Sequence, residues 1–270
     1  YKKVVKEIVA EFGNDRKRLM DIARAVHAKT GHISEDIVGA IADALGCHRV
    51  EARDMTSFYA FFSREPKGAT TIRLCNAVVE RMKGMGAVAN AFEKALGIRF
   101  GETTPDGLIS LEYTPCIGMS DQAPAALVNG KVLTNIRPED VKSIVEAVRS
   151  GKLHDGGIVS VKSVESNLQQ AGPVIFAPFE RGAGIRKALS MSPEDVINEM
   201  NKARVRGRGG AGFPLAMKWS FCRKAEGEAH YVVCNGDEGE PGTFKDRVIL
   251  TECPDLMFEG MTIAGYAVGA

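Results

Sequence analysis

Between Gly207 and Gly212 the chain places four glycines in six residues, within the stretch RGRGGAGFPLAMKW. Such a run rules out a helix or a strand, because glycine loses the most conformational freedom on ordering and brings no side chain to pack. The segment must be a loop, and helical patterns flank it on both sides. MSPEDVINEMNKARV comes before it, with Ser192 as N-cap, Pro193 at the first helical position and Asp195 completing a capping box. FPLAMKWSFCRKA comes after it and predicts a helix that opens at Pro214. Bare main chain just ahead of a helix N-terminus lets an anion reach backbone N–H groups, and the helix dipole favours negative charge there.

Gly207, Gly209 and Gly212 spell G-x-G-x-x-G. The dinucleotide fingerprint of that form needs a strand before the first glycine, and here a helix precedes it. A kinase phosphate loop needs an H-R-D elsewhere, which the chain lacks. A plain helix–helix turn stays open. Arg208 in the loop and Lys218 one turn into the helix can neutralise a phosphate, while Phe213 and Trp219 offer flat apolar surface. HYVVCNGDEGEPGTFKDR then reads as a short strand running into a polar loop, with Asn235, Asp237, Glu238 and Glu240 following the strand. Side chains at such an edge can hydrogen-bond sugar hydroxyls and heterocycle nitrogens, although a solvated acidic loop would look the same.

The rest of the chain predicts an α/β protein. Residues 1–66 form a helical segment, in which Gly31 and Gly46 are helix stops, Ser34 is an N-cap, and an aromatic stripe from Phe58 to Phe62 is assigned to the core. Residues 67–150 run strand (TTIRLCNA), helix (VERMKGMGAVANAFEKALG), strand (LISLEYTPC), hairpin around Asn129–Gly130, and helix with Pro138 in its first turn. A polar linker occupies 151–172, and a second domain starts at about 173. The terminal PDLMFEGMTIAGYAVGA reads as a buried helix, too short and too acidic for a membrane span, and its abrupt stop predicts an incomplete domain.

A formal charge of +1 gives no sign of nucleic acid or acidic lipid as a partner. Six cysteines without a C-x-x-C, and no secretion signal, point to reduced thiols buried as small apolar groups in a cytoplasmic protein. The five histidines lack metal-ligand spacing.

RGRGGAGFPLAMKW and VCNGDEGEPGTFKDR, in this order and separation, resemble the flavin- and NAD(H)-binding subunit of respiratory complex I, NAD-reducing hydrogenases and NAD-dependent formate dehydrogenases. The resemblance implies that Gly207, Arg208, Gly209, Lys218, Asn235, Asp237 and Glu238 hold FMN. It implies that Gly210, Phe213, Phe221 and Glu240 face NAD(H), Glu240 modulating affinity and redox balance with no side chain acting as catalyst. The family's small-residue pair before the lysine is here Leu215–Ala216. Residues 1–150 resemble the thioredoxin-like ferredoxin of the same complexes. Its fusion to a flavin domain resembles the large diaphorase subunits of soluble NAD-reducing [NiFe] hydrogenases. Implied partners are an iron–sulfur electron-transfer subunit and hydrogenase subunits. A [4Fe–4S] cluster is implied only in a helical domain beyond residue 270.

The ferredoxin pattern of C-x4-C with a later C-x3-C is incomplete. Cys75 is followed by Glu80, and Cys116 by Ser120. A [2Fe–2S] cluster takes four thiolates, and hard oxygen donors suit it less. The expectation is a domain that kept the fold and lost the cluster, with oxygen ligation by Ser120, Asp121 or Glu80 as the alternative.

Overall fold

The computed structural model describes residues 1–152 and 166–270. The chain divides into two compact units, Tyr1–Val164 and Glu165–Ala270. Most of the expected linker, residues 153–165, lies outside the described residues.

The first unit opens with four helices: α1 (Lys2–Glu11), α2 (Leu19–Thr30), α3 (Glu35–Leu45) and α4 (Arg49–Phe58). Their ends follow local chemistry. Gly31 and Gly46 stop α2 and α3 in the left-handed conformation that a missing Cβ permits. The Ser34 hydroxyl accepts from Ile37 N–H at the start of α3. Apolar residues at helical spacing, including Val5, Ile22, Val26, Ile41 and Ala52, bury themselves in one cluster.

The aromatic stripe departs from expectation. Phe62 packs against this cluster, but Phe58 is 80% exposed, and Tyr59 and Phe61 are about half exposed. α4 ends at Phe58, so the following aromatics leave the helical period that would have turned them inward.

Next come β1 (Thr70–Cys75), α5 (Val78–Met82), α6 (Met85–Leu96), β2 (Ile109–Thr114), β3 (Ala126–Val128), β4 (Lys131–Leu133) and α7 (Val141–Arg149). The predicted single helix after β1 breaks in two at Gly84, which sits at φ +90°. The sheet order is β2-β1-β3-β4. β1 and β2 are parallel, joined through α5 and α6, whereas β3 runs antiparallel to both β1 and β4. Asn129 and Gly130 turn the β3–β4 hairpin with φ +46° and +86°, the signs a two-residue primed turn needs.

Ile72, Leu74, Ile109, Leu111, Ala126 and Val128 occupy alternate strand positions, and α6 and α7 cover them with Phe92, Val141 and Ile144. At the alternate register Arg73 pairs with Glu112 at 3.0 Å and lies 4.9 Å from the Phe61 ring. His27 Nε2 accepts from Ser63 N–H at 3.2 Å, and burial lowers its basicity, helped by the nearby Arg73 charge.

The second unit holds α8 (Ala183–Leu189), α9 (Pro193–Lys202), α10 (Leu215–Lys224), α11 (Lys245–Glu252) and α12 (Pro254–Val268). No strand forms among its described residues. The strand expected at HYVVC is absent, and Tyr231 and Val233 are 79% and 85% exposed. A strand exists only when its N–H and C=O groups meet a neighbour, and nothing among the described residues of this unit pairs with the segment. Ser192 caps α9 by accepting from Asp195 N–H, but the Asp195 carboxyl accepts from the Ser192 hydroxyl at 2.7 Å, so the reciprocal half of the capping box is replaced.

The terminal helix is less buried than its composition suggests: Ala264, Ala267 and Val268 face inward while Phe258 is exposed. No described helix is long and apolar enough to cross a membrane.

Candidate functional site

The glycine loop is closed at its base by backbone pairing. Gly207 N–H donates to Phe213 O at 2.9 Å, and Leu215 N–H donates to Val205 O at the same distance. Arg206 Nη1 adds a bond to Gly212 O at 3.0 Å. Between these ties the chain bulges out, every residue from Gly207 to Ala211 exposed. A cavity of about 580 Å³ opens beside it, lined by Arg204, Arg206, Arg208, Gly207, Gly210 and Gly212 among others. Arg204 stands at φ +53° just beyond the end of α9, a left-handed conformation uncommon for a residue other than glycine. A Cβ built on Gly209 would meet nothing within 4 Å, while Gly212 at φ +65° resists replacement through its backbone.

The loop rides on a small core. Ala188, Val196, Ile197, Ala216 and Ala267 are buried together, and Trp219 packs against them. Trp219 is therefore partly buried against this core, in place of the free flat surface expected. Phe213 and Phe221 are brought together on the outside, their ring centroids 6.4 Å apart and both rings exposed. Lys218 is exposed in the first turn of α10, near the loop. α10 has no side-chain N-cap, so its first amides are free of protein partners of that kind.

The second loop leads into α11. Asp237 N–H donates to Asn235 Oδ1 at 3.0 Å, a local Asx turn. Glu238 accepts from Asp246 N–H at 2.9 Å and Arg247 N–H at 3.1 Å, which makes it the cap of α11. The side chains of Asn235, Asp237 and Glu240 are left exposed.

Residue-by-residue reading misses one carboxylate altogether. Glu259, on α12, accepts from Gly182, Gly184 and Ile185 amides at 2.7, 2.6 and 3.2 Å. These bonds, that from Gly182 foremost, hold its carboxyl below the usual carboxylate range. A Cβ on Gly184 would lie 2.6 Å from Glu259 Oε1, so a side chain there would push the carboxylate out of its present place. The only signal in the sequence is an acid inside an apolar helix.

In the first unit, Cys75 closes β1 and Cys116 follows β2, so parallel pairing brings them to the same end of the sheet. Cys75 donates to Pro115 O at 3.3 Å, and burial pushes its thiol up to about 11, with the neighbouring Glu80 carboxyl adding to the rise. Ser120 Oγ donates to Glu80 Oε1 at 3.2 Å, and Cys116 Sγ lies 3.6 Å from Ser120 Oγ. Glu80 is fully buried, and its Oε2 has no partner. Among the described residues no set of three or more His, Cys, Asp or Glu is arranged to hold a metal ion. Of the six free cysteines Cys75 alone is buried and Cys234 is exposed, so the uniformly buried thiols expected are not found.

Residues 5–149 match the thioredoxin-like [2Fe–2S] ferredoxin family, α1 to α4 included. The chain belongs to that family. The ferredoxin-type unit is followed by a match of residues 200–270 to the Nuo51 FMN-binding domain, and this pair, in this order, is the α/β architecture that the motifs imply. The chain is 42% identical to the alpha subunit of the NAD-reducing hydrogenase HoxS of Cupriavidus necator across 97% of its own length and 46% of that relative. It is 52% identical to an NADH-quinone oxidoreductase subunit of Aquifex aeolicus over 32% of its length and 20% of that protein. Among solved structures, an NAD⁺-reducing [NiFe]-hydrogenase in the H2-reduced state superimposes with TM-score 0.77 at 32% identity, over 94% of this chain and 43% of the other. The chain thus spans less than half of each of these relatives.

Proposed function

We propose that this ferredoxin-family chain is part of a diaphorase that passes a hydride between NAD(H) and FMN, within a complex of the NAD-reducing hydrogenase type. The observation that supports this best is the open glycine loop. Its main chain is exposed, three arginines line the cavity beside it, and an uncapped helix starts just after it. That donor set suits a phosphate monoester, through backbone N–H groups, helix dipole and guanidinium charge together.

In this reading Gly207, Arg208, Gly209 and Lys218 take the FMN phosphate, and Asn235 and Asp237 reach its polar rings. Glu238, engaged in capping α11, supports that loop's shape. Phe213 and Phe221 form an exposed aromatic pair on which a nicotinamide or adenine ring stacks. Gly210 permits its approach, and Glu240 tunes its affinity. Bound FMN supplies the redox chemistry, accepting two electrons as hydride and releasing them singly, so no side-chain base is demanded.

Iron–sulfur and hydrogenase subunits would be the partners, reduction of NAD⁺ by electrons from H2 the direction, and the cytoplasm the place. The diaphorases of NAD-dependent formate dehydrogenase and of complex I offer the same site to other electron donors or acceptors, and the catalytic subunit that co-purifies distinguishes them.

FMN titration of the full chain tests the site. Flavin fluorescence should quench on binding to the parent and not to Gly209→Val, whose added side chain meets open space in the fold. Equal FMN affinity in the variant removes the phosphate cradle. Failure of the parent to bind at all would favour a docking module without catalysis.

A further inference from the structure

We propose that Glu80 and Ser120 take the structural place of the family's cluster: a buried hydrogen-bonded plug ties the β1 and β2 loops together, and this half of the chain relays no electrons. The four positions of the ferredoxin pattern do converge, although two of them carry oxygen. Ser120 Oγ, itself buried, donates to Glu80 Oε1 across forty sequence positions at 3.2 Å. Cys116 Sγ lies 3.6 Å from Ser120 Oγ, and Gly118 N–H donates to Cys116 Sγ at 3.4 Å. Cys75 Sγ points its hydrogen at Pro115 O.

This arrangement does not fit a [2Fe–2S] cluster. The cluster takes four sulfur anions converging on two irons. Here the two replacement positions carry a carboxyl and a hydroxyl, and these are hydrogen-bonded to each other. The donors are two sulfurs, a carboxyl and a hydroxyl, a mixture of soft and hard groups that suits neither iron of such a cluster. A cluster cross-links its two loops; the Glu80–Ser120 bond makes the same link without metal.

Anaerobic reconstitution of the full chain with ferrous iron and sulfide tests the idea. After desalting, the parent should retain less than about one-tenth of the iron held by E80C/S120C, in which four thiolates are restored. The double variant should also show an EPR signal on reduction by dithionite. Stoichiometric iron and sulfide in the parent, with such a signal, overturns the proposal, as does a folded double variant that takes up no cluster. Melting of single variants supplies a readout that holds even if the double variant does not fold. E80Q, which keeps an oxygen for Ser120, should melt near the parent, and E80A should melt earlier. An E80A variant as stable as the parent overturns the plug.

Discussion

The two candidate sites of this chain are opposites. At the sheet end of the first unit, Cys75, Glu80, Cys116 and Ser120 are drawn inward and bonded to protein neighbours. Around Gly207 to Gly212 the second unit leaves its main chain outside, with three arginines beside it and nothing above Gly209. The first site turns most of its polar groups on itself, Glu80 Oε2 excepted, and the second leaves them exposed. Polar groups already paired inside a protein gain little from a ligand, whereas exposed amides exchange water for an anion at small cost. Matching a cofactor family is therefore a statement about fold, and what a site can bind depends on whether its donors are still free.

Four measurements put this contrast at risk. The largest belongs to the first unit's core: Ile144→Ala, at a fully buried position under the sheet, should cost about 2–5 kcal/mol in chemical denaturation. FMN affinity should not change, and a parallel loss would show that the two sites are not separate. Next is Gly209→Val, for which isothermal titration should find FMN affinity lower by about 100-fold, or roughly 3 kcal/mol, with the melting temperature unchanged. Glu240→Gln should alter NAD(H) affinity by about 5-fold, near 1 kcal/mol, while FMN stays bound. Identical nucleotide affinity would remove Glu240 from the site.

The smallest effect concerns acid. His27 binds protons less readily folded than unfolded, so its contribution is complete above its ordinary value of 6.5 and fades as pH falls below it. Glu259 is also held low, so its contribution survives down to its ordinary value of 4.5 and is lost only below that. Unfolding followed against pH should therefore show the first unit weakening before the second, and His27→Gln should flatten the slope near pH 6.

Much of the fold was legible in local pattern. The Ser34 and Ser192 caps, the Gly31 and Gly46 stops, the Asn129–Gly130 hairpin and the two β strands around α5 and α6 occupy their expected places. Each of these is decided within a few residues, by backbone freedom or by a side chain reaching the next turn. The glycine loop belongs with them, because so little can be done with that run except leave it open.

Other features waited for distant partners. HYVVC has the composition of a strand and finds no neighbour to pair with among the described residues. Phe58 is exposed where a core position was expected, and Trp219 is partly buried where a free surface was expected, both through the packing of whole helices. Glu259 clamps amides seventy-four to seventy-seven positions earlier in the chain, and Ser120 meets Glu80 forty positions away. Sequence alone determined where the chain turns, which stretches wind into helices and where the backbone is laid bare, since those depend on near neighbours. That one cysteine site is closed on itself while one glycine site stands open follows from long-range packing, because a hydrogen bond between remote side chains exists only once the core has brought them together.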